Sequence, residues 1–383
     1  MRSLKSMDDS IYLDYAACTP VDPHVVEAMM EWMVDRPGSH YARHHIPGRA
    51  VADLIEQARM QIGQRIGAAP QEIVFTSSAT EANNLAILGL ASHLKKTGQT
   101  HIVTHEVEHK SVLGPVSWLQ KNGFRVTVIP AGPEGYITAD DIAEALTPQT
   151  GLVTIQAVNN ELGTIQPVVQ IAAMLQGKDI FFHIDAAQAL GKINFSVDGT
   201  GIALASISAQ KCYGPRGIAG LYVREDIREH LQPLFHGGGD DERLRPGSLP
   251  VALCAGFGAA ADLAVYKEAE AVRLEDIRES FLNDLRTEIP DIIVHGPQAQ
   301  EKRVPHIISL RFPHISASTL AVSLPKIAFG IRPHSHIIRA VTRDEQAAAE
   351  TIRISFGRFT DKHDMMKAID LIISSVKKRN VQP

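Results

Sequence analysis

The sequence predicts an α/β protein: a mostly parallel sheet covered by helices on both faces, followed by a smaller α+β unit. Three observations carry this. At 383 residues, 44% hydrophobic and 21% charged, the chain can bury a large core and is long enough for more than one domain. From Glu72 to Val223, short β-rich runs alternate with longer helical ones, the pattern of strands joined by helical crossovers. The stretch "FHGGGDDERLRPGSLP", residues 235 to 250, then breaks that rhythm with glycine, proline and charge.

In chain order, the strand candidates are "EIVFTS", "HIVTH", "FRVTVIP", "GLVTIQAV", "IFFHIDAA" and "IALASIS". Helical stretches such as residues 80 to 96 and 109 to 121 separate them. After residue 250 a long helical pattern begins near Ala252. The remainder ("HIISLRF", "STLAVSL", "TIRISFG", "MMKAIDLIISSVKK") reads as the smaller α+β unit. The expected division is a large domain over 15–252 and a small one formed by 1–14 with 253–383. No internal repeat or low-complexity tract interrupts the chain.

The net charge of −5 comes without a basic stripe, so no nucleic-acid partner is expected. The first residues, "MRSLKSMDDSIYLDY", lack an apolar signal region, and no segment has the run of apolar residues needed for a membrane span. The expectation is a soluble, cytoplasmic protein. Cys18, Cys212 and Cys254 are too few and too scattered for a disulfide framework or a CxxC metal site.

In an open α/β sheet the ligand lies at the carboxyl ends of the strands, so residues just beyond the strand candidates are where chemistry is sought. Thr80 follows "EIVFTSSA" and opens a helix, where free N–H groups suit a phosphate; an ordinary helix cap is the alternative. His109 stands at another helix start and reads equally as a cap. Asp185 closes the apolar "IFFHID", where it needs a partner: a structural ion pair or a functional one.

Lys211 shifts the balance. It lies between the apolar "IALASIS" run and the turn "CYGPRG", a setting that removes water and lowers an amine pKa. A Schiff-base lysine needs this; an acid near a pyridine nitrogen keeps that nitrogen protonated, and a helix N-terminus holds a phosphate. Pyridoxal phosphate meets all three demands.

The motifs "YLDYAACTPVDP", "FTSSATEANNLAI", "EHKSV", "VNNELGTIQP", "HIDAAQALGK", "SISAQKCYGPRGIAGLYV", "GGG", "LRPGSLP" and "TIRISFGRFT" occur in that order. In them the chain resembles the cysteine desulfurase family, in the class V aminotransferase branch of fold type I pyridoxal-phosphate enzymes, over nearly its whole length. The resemblance implies a large domain with a mostly parallel seven-stranded sheet. It implies that Lys211 joins the cofactor aldehyde, Asp185 pairs with the ring nitrogen, His109 stacks on the ring and Gln188 bonds the ring hydroxyl. Thr80 and Ser208 hold the phosphate, Gln210 stands where the family usually has histidine and can donate to it, and Ser248 reaches it from a second subunit. Asn160 lies near substrate and ring, and Arg353 clamps the substrate carboxylate. A homodimer with shared sites, a small amino-acid substrate and a sulfur-acceptor protein follow from the same resemblance.

One departure bears on the reaction. The family carries a mobile loop reading like "SSGSAC", whose thiolate attacks the substrate sulfur. Here "KIAFGIRPHSHIIRAV" is shorter and contains no cysteine. Cys18, in a turn that the family places by the substrate, is the one stand-in; Cys212 and Cys254 read as core. Arg332, His334 and His336 occupy the shortened segment, either as surface polarity or as contacts to a different substrate. Three functions follow: C–S bond cleavage in cysteine or a relative, with atypical or impaired desulfurase chemistry; an aminotransferase or similar enzyme on another amino acid; and a non-catalytic homologue. The joint presence of Lys211, Asp185, His109 and Arg353 argues against the last.

Overall fold

The computed structural model describes residues 10–237 and 243–380. Its strands, numbered in chain order, begin with β1 (Ile11–Tyr12). The next seven are β2 (Ile73–Thr76), β3 (His101–His105), β4 (Arg125–Ile129), β5 (Thr150–Gln156), β6 (Phe181–Asp185), β7 (Leu204–Ser208) and β8 (Ala219–Val223). These seven form one sheet in the order β2-β8-β7-β6-β5-β3-β4. Only β8 runs against its neighbours, β2 and β7; the other pairings are parallel.

Successive residues of a strand point to opposite faces, and here both faces are buried. Phe75, Val103, Val153 and Phe182 enter a core on one side, while Val74, Ile102, Leu152 and Phe181 enter a core on the other. The first core is roofed by the helices Pro23–Val34, Ile46–Ile66 and Val251–Leu263. The last two approach closely at Gly258, where a Cβ would lie 2.9 Å from Ala58 Cα, so no larger residue fits without parting them. The expected division at 252/253 cuts this helix at its start, yet Cys254, Phe257, Ala260 and Ala261 all lie in the large sheet's core.

Two helical stretches are interrupted where the sequence pattern runs on. The 80–96 stretch is two helices, Ala79–Gly89 and Ala91–Thr97, because the Gly89 carbonyl turns out to accept from Gln232 N (2.9 Å). The pattern from Ala252 likewise ends at Leu263, and a separate helix, Glu268–Glu288, follows.

The remaining strands are β9 (Ile293–His295), β10 (Ile307–Arg311), β11 (Ile327–Ala328), β12 (Gly330–Ile331) and β13 (Thr351–Ser355). An antiparallel sheet of order β12-β13-β10-β9 packs on the helices Glu268–Glu288 and Lys362–Asn380, and β1 pairs in parallel with β11. Residues 331–336 lead from this sheet to the helix His336–Thr342, whose Ile337, Ile338 and Val341 pack against Val107, Ala131 and Leu162 of the large sheet's loops. That packing carries the 331–336 segment across to the carboxyl ends of the large sheet. Gly238 and Gly239 of the triple glycine lie outside the described residues; Gly237 has φ +124°. Among the described residues no helix is long and apolar enough to cross a membrane.

Candidate active site

The carboxyl ends of β2, β3, β5, β6 and β7 open on one cavity of about 240 Å³. Its walls include Thr80, His109, Asn160, Asp185, Gln188, Ser208, Gln210, Lys211 and Arg353, brought from positions up to 273 residues apart. Ser248 is exposed and does not line the cavity of its own chain.

Lys211 ends the short turn Ala209–Lys211 directly after β7. The turn is fixed by bonds from Cys212 N and Gly214 N to Ala209 O (3.0 and 2.9 Å), and by Tyr213 N on Thr19 Oγ1 (2.8 Å). Tyr213 sits at φ +65°, a strained conformation for a residue with a side chain. It is held there by Lys192 and Arg358, which both lie over its ring and donate to its hydroxyl from Nζ and backbone N respectively. The Lys211 ammonium donates to Ala16 O (2.8 Å) and Ala17 O. Burial, reinforced by the Arg353 charge, holds its amine down to about 8.

Asp185 closes β6. Its Oδ1 accepts from Ala187 N (3.0 Å) and its Oδ2 from Asn83 Nδ2 (2.8 Å). Asn83 is fully buried and also donates to Ser111 Oγ (2.8 Å). His109 caps the helix Lys110–Lys121, and its Nδ1 accepts from Ser111 N (3.1 Å). An imidazole nitrogen that accepts carries no proton, so the Ser111 hydroxyl, 2.7 Å from the same Nδ1, also donates to it. The directions of the whole chain are thereby set. Asn83 donates to Asp185 and Ser111, Ser111 donates to His109 Nδ1, and the proton of neutral His109 sits on Nε2. Burial lowers the His109 pKa, which keeps this neutral form dominant.

Arg353 reaches the cavity from β13. Its Nη1 donates to Asn160 O (2.8 Å) and its Nη2 to Asp14 Oδ1 (2.7 Å), while its buried Nε has no partner in the protein. Asn160 Oδ1 is a second buried polar atom without one. Gly330 leaves room for this guanidinium: a Cβ there would lie 3.1 Å from Arg353 Nε and 3.2 Å from Nη2. Also lining the cavity, the helix Ala79–Gly89 is capped by Ser78, which accepts from Glu81 N (3.2 Å). The N–H groups of Ala79 and Thr80, in the first turn, have no acceptor within the helix.

The cysteines are elsewhere. Cys212 and Cys254 are buried in the large core, where burial pushes the Cys212 thiol up to about 12. Cys18 faces Arg216, whose Nε lies 3.0 Å from its Sγ, and its neighbours Ala16 and Ala17 line the cavity in its place. Residues 332–335 form a short turn, and Arg332 is the residue of that turn that lines the cavity.

Asp14, Asn83 and Ser111 escape sequence reasoning. Asp14 lies just past a two-residue strand, too short to register. Asn83 and Ser111 could have been found as polar residues on the apolar faces of their helices, beside Ala82, Leu85 and Ala86 and beside Val112 and Val116.

A strand-end lysine, a strand-end acid, a helix-capping histidine and a helix N-terminus around one cavity are the layout of a class V aminotransferase. The chain belongs to that family, which it matches over residues 11–367. Within it the chain is similar to cysteine desulfurases. It is 37% identical to the mitochondrial cysteine desulfurase of Arabidopsis thaliana, over all of this chain and 86% of that protein. It is 36% identical to the cysteine desulfurase IscS of Rickettsia typhi, over all of this chain and 95% of that one. Among solved structures, a NifS-like protein superposes with a TM-score of 0.90 at 31% identity, covering 96% of this chain and all of the other. A structure described as SspA in complex with cysteine gives a TM-score of 0.78 at 35% identity, over 92% and 100%. Class V aminotransferases are pyridoxal-phosphate enzymes of fold type I, and the groups here fit that cofactor: unfilled N–H groups for a phosphate, an amine for an aldehyde and a carboxylate for a ring nitrogen.

Proposed function

We propose that this protein cleaves the C–S bond of cysteine or a closely related amino acid, and that it does so without one of its own cysteine thiols as sulfur acceptor. The observation that carries the reading is the cavity wall itself. It joins Lys211, Asp185, His109, Asn160 and Arg353, and none of the chain's three cysteines is among its residues.

Pyridoxal phosphate, when bound, supplies an electron sink for the substrate's α-carbon. Thr80, Ser208 and Gln210, with the free N–H groups at the start of the helix Ala79–Gly89, would hold its phosphate. Ser248 of a second copy would join them in a homodimer with shared sites. Asp185 would hold the ring nitrogen, oriented by Asn83, and Gln188 would stand at the ring hydroxyl. One Gln188 N–H is bonded to Ala16 O (2.8 Å), which leaves its second N–H and its carbonyl to meet that hydroxyl. Arg353 would bind the substrate carboxylate through Nε and its spare N–H groups, beside Asn160. Lys211, with an amine near 8, can take and return a proton at Nζ close to neutral pH. His109 would pack on the ring face as a neutral imidazole.

Removing sulfur as a persulfide requires a thiolate: its sulfur bonds to the substrate sulfur as the Cβ–S bond breaks, and the β-carbon gains a proton, so that cysteine and a thiol give alanine and a persulfide. With no cysteine lining the cavity, that thiol comes from outside, from a small molecule or a sulfur-acceptor protein. Product analysis with L-cysteine tests this. Alanine that accumulates in proportion to an added dithiol supports the reading. Pyruvate with ammonia points instead to elimination, and no turnover of cysteine points to a different amino acid. A wild-type protein that Lys211→Ala leaves with an equal borohydride-reducible adduct would end the assignment of the lysine.

A further inference from the structure

Arg332 is the feature of the cavity that the reading above leaves without a task. It stands in the turn that replaces the longer loop of the resembled family, and it lines the same cavity as Lys211 and Arg353. Its place is built rather than incidental. Glu161 is buried; its Oε1 lies 3.3 Å from Arg332 Nε, and its Oε2 accepts from Ser335 Oγ (2.5 Å). Ser335 in turn caps the helix His336–Thr342 by accepting from Ile338 N (3.1 Å). One carboxylate thus ties the cap and the guanidinium to the loop after β5. The preceding residue, Asn160, supplies the carbonyl that holds Arg353. Two adjacent residues therefore set the positions of two guanidinium groups around one cavity.

Glu161 meets Arg332 through Nε, and among the described residues it is the sole ion-pair partner of that arginine. The Nη edge is left to face other groups. The Arg332 charge lies near enough to Lys211 and His109 to add, after burial, to what disfavours their protonated forms. The same residue also borders a neighbouring opening of about 280 Å³ with His334 and His336, which puts it at the junction between cavity and solvent.

We propose that Arg332 is a specificity-determining residue that recognises an anionic group on the β-carbon of the bound amino acid: a carboxylate, or the thiolate of cysteine. The inference rests on the amino-acid reading of the site. With the α-carboxylate at Arg353 and the amino group at Lys211, the side chain is the one substituent left to meet a third wall, and Arg332 is the cation on that wall. A guanidinium pairs with an anion through two N–H groups, whereas a neutral side chain leaves its Nη edge without a counter-charge. Because the Arg332 side chain is half exposed, at 52%, the gain is moderated by solvent.

The test is an equilibrium titration of the holoenzyme with amino acids, followed by the cofactor's absorbance. L-Aspartate and L-asparagine are nearly isosteric and differ in charge, so their affinity ratio isolates the proposed contact. Aspartate is expected to bind wild type more tightly than asparagine. Arg332→Gln should weaken aspartate about tenfold and leave asparagine and alanine within about twofold. Arg332→Lys should restore part of the loss. The cysteine-to-serine ratio separates the two sources of the anion: if it falls in Arg332→Gln, the thiolate is recognised; if it holds while the aspartate ratio falls, the subsite reads a carboxylate. An aspartate-to-asparagine ratio and a cysteine-to-serine ratio both unchanged by Arg332→Gln overturn the proposal, even where alanine still binds in an Arg353-dependent way. If no amino acid perturbs the wild-type spectrum, the amino-acid reading falls and this proposal with it.

Discussion

Asp14→Asn separates the charge of the Asp14–Arg353 pair from its shape. The amide is isosteric and its oxygen can still accept from Arg353 Nη2, now 2.7 Å from Asp14 Oδ1, so the change removes one negative charge and little else. Unit charges about 4 Å apart at an effective dielectric near 20 interact by about 4 kcal/mol. Arg353 is 6% exposed but Asp14 is 24% exposed, so solvent screens part of this, and the net loss of stability should be about 1–2 kcal/mol. A second consequence falls on Lys211. Its amine is held down first by burial and then by Arg353, with Cys18 and Asp14 pulling the other way. Removing Asp14's charge should move the Lys211 pKa below about 8. Two assays read these effects on apoprotein: thermal unfolding, and the pH dependence of Lys211 labelling by an amine-reactive reagent, followed by peptide mass spectrometry. A melting temperature lowered by a few degrees together with a labelling curve displaced to lower pH is expected. An Asp14→Asn protein as stable as wild type, with a Lys211 curve that is unmoved or displaced upward, would refute the electrostatic reasoning.

Other expectations follow from the same geometry. Gly330→Ala should press on Arg353 at 3.1 and 3.2 Å and on Asp14 Oδ1 at 3.3 Å, and raise KM for the amino-acid substrate by about tenfold with a smaller change in kcat; an unchanged KM would show that the guanidinium has room to move. Burial holds His105 and His295 down to about 4 and His183 to about 3, against 6.5 when unfolded. A depressed folded pKa means that the unfolded chain binds more protons below 6.5. The neutral rings therefore contribute stability that is complete above pH 6.5 and lost as pH falls toward 4, about 2–4 kcal/mol for each ring. Urea unfolding of the apoprotein between pH 7 and 4 should show that decline, and a flat profile would contradict it.

Much of the site could be read from the sequence because its residues sit where strands end, and strand ends are marked by changes in apolar pattern. Asp185 after "IFFHI" and Lys211 after "IALASIS" are of this kind, and each needed only local context. The residues that were missed act through partners distant in sequence. Asp14 gains meaning from Arg353 in another sheet, and Ser111 gains its meaning from Asn83, 28 positions earlier. The helix breaks at Leu90 and after Leu263 were hidden for a related reason. Helical periodicity continues through "LGLASHL", and what stops the helix is a carbonyl turned toward Gln232, which only tertiary structure supplies. The membership of the helix Val251–Leu263 in the large core is likewise decided by packing against the helices Pro23–Val34 and Ile46–Ile66, not by its own composition.

Under the proposed function, sulfur leaves this cavity on a thiol that is not one of this chain's own cysteines. The most direct measurement replaces Cys18, Cys212 and Cys254 together and follows alanine formation from L-cysteine with and without an external thiol, while mass spectrometry searches the wild type for protein-bound persulfide. Substitution of the two buried cysteines removes core sulfur, so circular dichroism and cofactor absorbance first establish that the variant is folded and loaded. The expected result is alanine formation that depends on the added thiol and is retained without the three cysteines, with no substrate-derived persulfide on the wild-type chain. Alanine formation that is lost with Cys18 alone, accompanied by a persulfide on Cys18 in the wild type, would contradict it.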